Sequence, residues 1–236
     1  MLTHSFEDLT QSIRVLMESG MKLPNLIKID RPEAIGSLET AINSTLNAYH
    51  SLYDLMNSEL GSPIDWYATQ ELSVILAIRN ARHHNKANRI RSLYNFHLQT
   101  CDAATDHRKY LYVKFPAEGE GYILDVPISW LDLSTFLNLP REESRMRPAS
   151  CELIRTYINS TEFEDYTSGK NIDDQYIFIN LAPLFLNAGI ELFPYIKQHI
   201  ELESVEAKSF ADIFETFTPA DTQYHQYIEY DFFLPA

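Results

Sequence analysis

Five cations and two imidazoles crowd into one short stretch of this chain, IRNARHHNKANRIR at 78–91. Arg79, Arg82, Lys86, Arg89 and Arg91 are interleaved with His83 and His84, and no Asp or Glu occurs between Glu71 and Asp102. An arginine and a histidine brought together suit phosphodiester chemistry. The guanidinium is a planar fork of donors that fits a phosphate and stabilises the added charge of a pentavalent transition state. Imidazole titrates near neutrality, so it can take a proton from a ribose 2′-hydroxyl or return one to the leaving oxygen. RNA carries its own nucleophile, so such a site needs no metal. The sequence holds no HExxH, no carboxylate cluster of two-metal type and no zinc-like Cys/His spacing. No cofactor is implied either, since neither GxGxxG nor GxxxxGK[ST] occurs.

These side chains must be positioned by helices. Phe6, Leu9, Ile13, Leu16 and Met17 recur at steps of three and four. After Pro32, a natural first-turn residue, Ile35, Leu38, Ile42, Leu46, Tyr49, Leu52, Tyr53 and Met56 keep that period for about seven turns, up to Gly61. SPID at 62–65 reads as a capped restart, followed by a helix apolar round most of its circumference and therefore central in a bundle. That helix loosens near Asn85–Asn88, and a further helical run follows to Gln99. Arg79 and His84 lie about 140° apart round an ideal helix and converge only where it bends or ends. Arg79 and His83, four apart, share a face without any bend.

The pattern changes after residue 108. KYLYVKF and GYILDV are aromatic and β-branched and flank a turn-like PAEGE, which reads as a small β-hairpin around 108–126. Helical signals return in ISWLDLSTFLNL, ASCELIRTYIN and NLAPLFLNAGIELFPYIKQHI, the last to be kinked or split by Pro194. YHQYIEYDFFLPA suits an extended tail. The fold class is mainly α, a helical bundle with a small hairpin. A boundary near 105 would separate a helical core at 1–105 from a hairpin-plus-helices unit at 106–236. No Pro/Gly/Ser linker marks it, so packing on one core is equally consistent.

Arg79-Asn80-Ala81-Arg82-His83-His84 resembles the signature of HEPN domains, an α-helical superfamily rich in ribonucleases of toxin–antitoxin, phage-defence and CRISPR systems. The family motif is an Arg, four to six residues, then a His, often with a polar residue directly after the Arg. Arg79, Asn80 and His84 fit it, near the end of a bundle helix. The match covers these residues directly and 31–100 by helical pattern. The resemblance implies metal-independent RNA cleavage at a cleft where the motifs of two protomers face each other. Arg79 would meet the scissile phosphate, His84 would be the acid/base and Asn80 would orient one of them. His83 is a rival for the acid/base role. Arg82, Lys86 and Arg89 are the candidate substrate contacts.

The composition admits other readings. The formal net charge is −14, which disfavours broad attraction to nucleic acid or anionic lipid, so a local basic cleft would have to select the RNA. Residues 201–236 hold eight acids against Lys208, half of that net charge, and a contact between this segment and the basic strip would explain both. Cations and His at a helix end also complement its dipole, worth about 0.3–1 kcal/mol each. A HEPN-type fold used for binding, or a non-catalytic interaction or scaffold protein, fits the same strip. Asp102, Asp106 and His107 could suggest a metal, though a polar loop is the simpler reading. Tyr224, Tyr227, Tyr230, Phe232 and Phe233 suit a core edge or interface better than base stacking. The N-terminus lacks the apolar run of a secretory signal, and no run approaches a membrane span. Cys101 and Cys151 fit reduced thiols. The expected setting is a cytoplasmic homodimer acting on RNA, with an antitoxin or other protein partner and no membrane.

Overall fold

The computed structural model describes residues 1–100, 109–116 and 124–231. The chain is mainly α. It opens with two long helices packed along each other, α1 (Leu2–Leu26) and α2 (Arg31–Glu59). Of the α1 stripe expected from the sequence, Phe6, Leu9, Ile13 and Leu16 lie in the core, while Met17 is exposed. Asp30 caps α2, its side chain accepting from the Glu33 N–H at 3.0 Å, with Pro32 in the first turn. Gly61 then takes φ +70, and the chain turns back so that the Ser62 N–H donates to the Met56 carbonyl.

SPID does not restart the helix. Asp65 instead makes a tight turn, accepting from the Tyr67 N–H at 3.0 Å and pairing with Arg147 at 2.6 Å. Trp66 is driven into the core, 1 % exposed, and α3 (Gln70–His83) begins only after Thr69. Every residue from Leu72 to Ile78 is buried, so α3 is the central helix. It packs on α2, on α5 (Trp130–Leu137), on α7 (Pro148–Tyr157) and on α9 (Leu181–Ile196). The short α6 (Arg141–Ser144) flanks α3 and the short α4 (Leu93–Thr100) packs against the sheet, while α8 (Ser160–Lys170) and α10 (Val205–Thr216) complete the shell. Pro194 falls in the last turn of α9, so it closes that helix rather than splitting it. One hydrophobic core draws residues from Leu2 through to Ala220.

The expected hairpin is replaced by a four-stranded sheet in the order β2-β3-β1-β4. Strand β1 (Lys109–Lys114) lies parallel to β3 (Ile177–Asn180) and antiparallel to β4 (Gln226–Asp231), the extended tail. Strand β2 (Pro127–Ser129) pairs antiparallel with β3. Part of GYILDV lies outside the described residues; 124–126 are not strand, and β1 pairs with neither them nor β2. The reason is burial on both faces. Alternate residues of β1 point opposite ways, and Tyr110, Leu111, Tyr112 and Val113 are all buried. Leu111, Val113, Ile177 and Ile179 face the main core, while Tyr110, Tyr112 and Phe178 meet Leu93 and Phe96 in a second cluster. A strand apolar on both faces is satisfied inside a covered sheet, not in a hairpin with one face in water.

Candidate functional site

The basic strip occupies the end of α3 and the turn that follows. Asn85, at φ +52, stops the helix as its residue type suggests, and the Lys86 N–H donates back to the Ala81 carbonyl at 2.9 Å. The helical run expected from Asn88 to Gln99 forms only from Leu93, as α4, and its first residues are a left-handed turn instead. Ala87, Asn88, Arg89 and Ile90 all take positive φ, at 45°, 50°, 61° and 49°. Four consecutive non-glycine residues in the left-handed region cost about 1–2 kcal/mol each, and Ile is among the least tolerant types there.

Long-range contacts hold this turn. Asp132 of α5, only 2 % exposed, accepts from Asn88 Nδ2 (2.9 Å), from the Arg91 N–H (3.1 Å) and from Arg91 Nε and Nη2 (2.8 and 2.9 Å). Ile90 is fully buried, and Ser92 makes a bridge to Ile128 of β2. Arg82, expected as a substrate contact, belongs to this structural network. Its side chain is 4 % exposed; Nη1 donates to Glu39 (2.8 Å) and Asn43 (3.1 Å), and Nη2 to the Ile90 carbonyl (2.9 Å). A guanidinium so enclosed, with both terminal nitrogens engaged and only Nε without a partner among the described residues, is a staple between α2, α3 and the turn, though it still contributes to the cleft wall.

Beside this staple lies a cleft of ≈ 240 Å³, lined by Asn43, Leu46 and Asn47 of α2, Arg79, Arg82 and His83 of α3, and Arg89 of the turn. Arg79 is the unusual member. It is half-buried, its Nε, like that of Arg82, is enclosed without a hydrogen-bond partner among the described residues, and its one polar contact among them is a long bond from Nη1 to Asn80 Oδ1 at 3.4 Å. Among the described residues no carboxylate pairs with it. Burial pulls its proton affinity below the ordinary arginine value, with Asp54 and Tyr67 acting the other way. Asn80 is buried; it holds Arg79 through Oδ1 and places Nδ2 3.8 Å from Met146 Sδ. Arg89 is exposed and, among the described residues, has no side-chain partner.

Of the two histidines, His83 lines the cleft with Arg79. His84 caps α3 and borders Arg145, its ring edge-on to that of His83 at 4.8 Å between centroids. Burial, then the charges of Arg145, His83, Arg79 and Lys86, hold the His84 imidazole below the usual histidine value. Lys86 pairs with Glu143 at 2.8 Å on the surface, a contact worth about 0–1 kcal/mol that an anionic ligand can displace.

Sequence reasoning missed Asn43, Asn47, His50 and Arg145, which reach the region only because α2 and α6 pack on α3. The one local hint was His50 and Asp54 at helical spacing; His50 Nδ1 stands 3.2 Å from Asp54 Oδ2. The expected contact between the strip and the acidic C-terminal segment is not formed among the described residues. Glu206, Glu215 and Glu229 pair instead with Arg14, Lys197 and Lys170. Tyr227 stacks on Tyr166 at 4.2 Å, a contact at the edge of the protein's own packing. Cys101, Asp102, Asp106, His107, Phe232 and Phe233 lie outside the described residues, and of the Tyr230 side chain nothing is described. Among the described residues no group of three or more His, Cys, Asp or Glu gathers as a metal ion would require, and no helix is long and apolar enough to cross a membrane.

Comparison with known proteins finds no matching family model, no matching curated protein and no matching solved structure.

Proposed function

We propose that the protein is a metal-independent endoribonuclease of HEPN type. The observation that supports this most is Arg79, a half-buried guanidinium that stands at the wall of an open cleft and has no carboxylate partner among the described residues. A cation enclosed in this way carries an unmet electrostatic demand, and a phosphodiester meets it with the charge and the planar acceptor geometry a guanidinium prefers. Asn80 steadies Arg79, His83 stands beside it as the acid/base group, and Arg89 with Lys86 supplies the flanking cations. His84 backs His83.

In this reading Arg79 grips the non-bridging oxygens of the scissile phosphate. The 2′-oxygen loses its proton and bonds to phosphorus, the bond from phosphorus to the 5′-oxygen breaks, and the leaving oxygen gains a proton. The products carry 2′,3′-cyclic phosphate and 5′-hydroxyl ends. The protein works as a cytoplasmic homodimer in a toxin–antitoxin or phage-defence setting, where an antitoxin or other protein would restrain it. The acidic remainder of the surface restricts binding to RNA that fits the basic cleft.

The test is cleavage of RNA by the purified chain in EDTA, with the ends identified by mass. Arg79→Ala is expected to lower the rate by about 10²–10³-fold. His83→Ala is expected to lower it by about 10²–10⁴-fold, and His84→Ala less. Full activity in Arg79→Ala and His83→Ala would remove the assignment. A second reading, a non-catalytic helical interaction protein, draws on the exposed apolar side chains of α1 and its end, Val15, Met17, Met21 and Ile29. An inert chain that co-purifies with a partner through that face would favour it.

A further inference from the structure

We propose that His50 is a second proton-transfer group of the Arg79–His83 cleft, acting as general base opposite His83 as acid, with Asp54 as its positioning residue. This rests on the ribonuclease reading above. Asn43, Leu46 and Asn47 face the cleft from α2, and His50 follows at the next helical step, four beyond Leu46 and three beyond Asn47. Asp54 lies one turn further along the same face. His50 does not line the cleft itself; the packing of α2 on α3 sets it one helical step beyond the lining residues, where the charges of Arg79 and His83 act on it.

The imidazole is set up for one direction of transfer. Nδ1 stands 3.2 Å from Asp54 Oδ2, and a carboxylate there favours the proton on Nδ1 and so leaves Nε2 as the acceptor. Among the described residues Nε2 has no hydrogen-bond partner, and the side chain is 23 % exposed, so a substrate hydroxyl can reach it. Tyr53 supports the ring at 5.6 Å between centroids. The charged and titratable groups acting on His50 are Asp54 on its own helix and Arg79 and His83 from α3. Burial, Arg79 and His83 lower its proton affinity and Asp54 raises it, with the net effect downward. A neutral imidazole at neutral pH is the form a base requires.

The step balances with no further reactant. Nε2 of His50 takes the 2′-hydroxyl proton as the 2′-oxygen bonds to phosphorus. The bond to the 5′-oxygen breaks, and that oxygen takes a proton from the His83 imidazolium. The two rings finish with exchanged protonation states, which solvent resets. Arg79 lies between the groups in role, holding the phosphate. One protomer would then carry both proton-transfer groups.

The test uses full-length His50→Gln and Asp54→Asn. Single-turnover cleavage of a labelled RNA in EDTA is measured over a pH series, alongside binding of the 2′-O-methyl version, which cannot cyclise. His50→Gln is expected to slow cleavage by about 10²–10⁴-fold while 2′-O-methyl RNA binds within about threefold of the wild type. Asp54 is 63 % exposed, so Asp54→Asn leaves the fold intact. It should slow cleavage less and move the acidic limb of the pH profile to lower pH, because the carboxylate that raises the imidazole's proton affinity is gone. Wild-type rates in His50→Gln, with Arg79→Ala inactive, overturn the role of His50 alone. An unmoved acidic limb in Asp54→Asn overturns the dyad. A wild-type chain that cuts no RNA overturns this inference and the ribonuclease reading together.

Discussion

Replacing Asp132 by Ala should release the left-handed turn that carries Arg89. The carboxylate is 2 % exposed and accepts four hydrogen bonds, three of them from Arg91, whose own side chain is 11 % exposed. Truncating one partner of a buried ion pair typically destabilises by about 3–5 kcal/mol, because the other charge is left without compensation. Relaxation works the other way. Four left-handed residues hold on the order of 4–8 kcal/mol of conformational cost, and part of it returns once Asn88 and Arg91 are free. Arg82 still holds the Ile90 carbonyl and Ile90 still sits in the core, so the turn cannot relax completely. The net loss is therefore expected at about 2–4 kcal/mol. With a urea m-value of about 3 kcal/mol/M for a chain of this size, the unfolding midpoint falls by about 1 M. Circular dichroism in urea reads the midpoint, and amide exchange reads residues 87–91, which should lose protection first. Asp132→Asn, which keeps the shape without the charge, should lose less. A loss under about 0.5 kcal/mol with unchanged exchange would show that Arg82 and Ile90 alone define the turn, and the account of Asp132 would fail.

Three further outcomes follow from the same contacts. Gly189→Ala would set a methyl group 2.3 Å from the Phe214 ring where α9 meets α10, so thermal unfolding should reveal about 1–3 kcal/mol of overpacking; an unchanged melting point would refute that close approach. Ala87→Gly relieves a left-handed residue at the expense of chain entropy, so a midpoint between unchanged and about 1 kcal/mol more stable is expected, and a clear loss would contradict the left-handed assignment. His50 and His84 both lie below the usual histidine value in the folded chain, so the unfolded chain takes up protons first as pH falls. Their contribution to stability is present above the ordinary histidine range and is lost on acidification through it, and urea midpoints at pH 7.5 and 5.5 check the sign.

The long helices were legible because their burial has the period that an amphipathic helix requires: Ile35, Leu38, Ile42, Leu46, Tyr49, Leu52 and Met56 are among the residues α2 buries. Asn85 was legible as a stop because its type tolerates positive φ. The next five residues were not. Nothing in Ala87, Arg89 or Ile90 favours a left-handed turn; Asp132 and Glu39 impose it from far along the chain. SPID misled because capping chemistry and an Asx turn use the same residue types, and the burial of Trp66 decided between them. The strand at KYLYVKF was visible, but its partners were not, since β3 and β4 are distant in sequence. At the site, Arg79 and His83 were readable as one face of a helix. That no carboxylate among the described residues pairs with Arg79, and that His50 comes near it, depend on which faces of α2 and α3 meet.

The order of the sheet has a consequence during synthesis. Strand β1 lies between β3 and β4, and β4 is made from residues 226–231. The helical hairpin of α1 and α2 can close while the ribosome is still producing the middle of the chain. The hydrogen-bonding edge of β1 that β4 covers stays open until more than a hundred further residues have emerged. A nascent or prematurely terminated chain thus presents an aromatic, β-branched edge competent to pair with another copy, and its protection against aggregation arrives last.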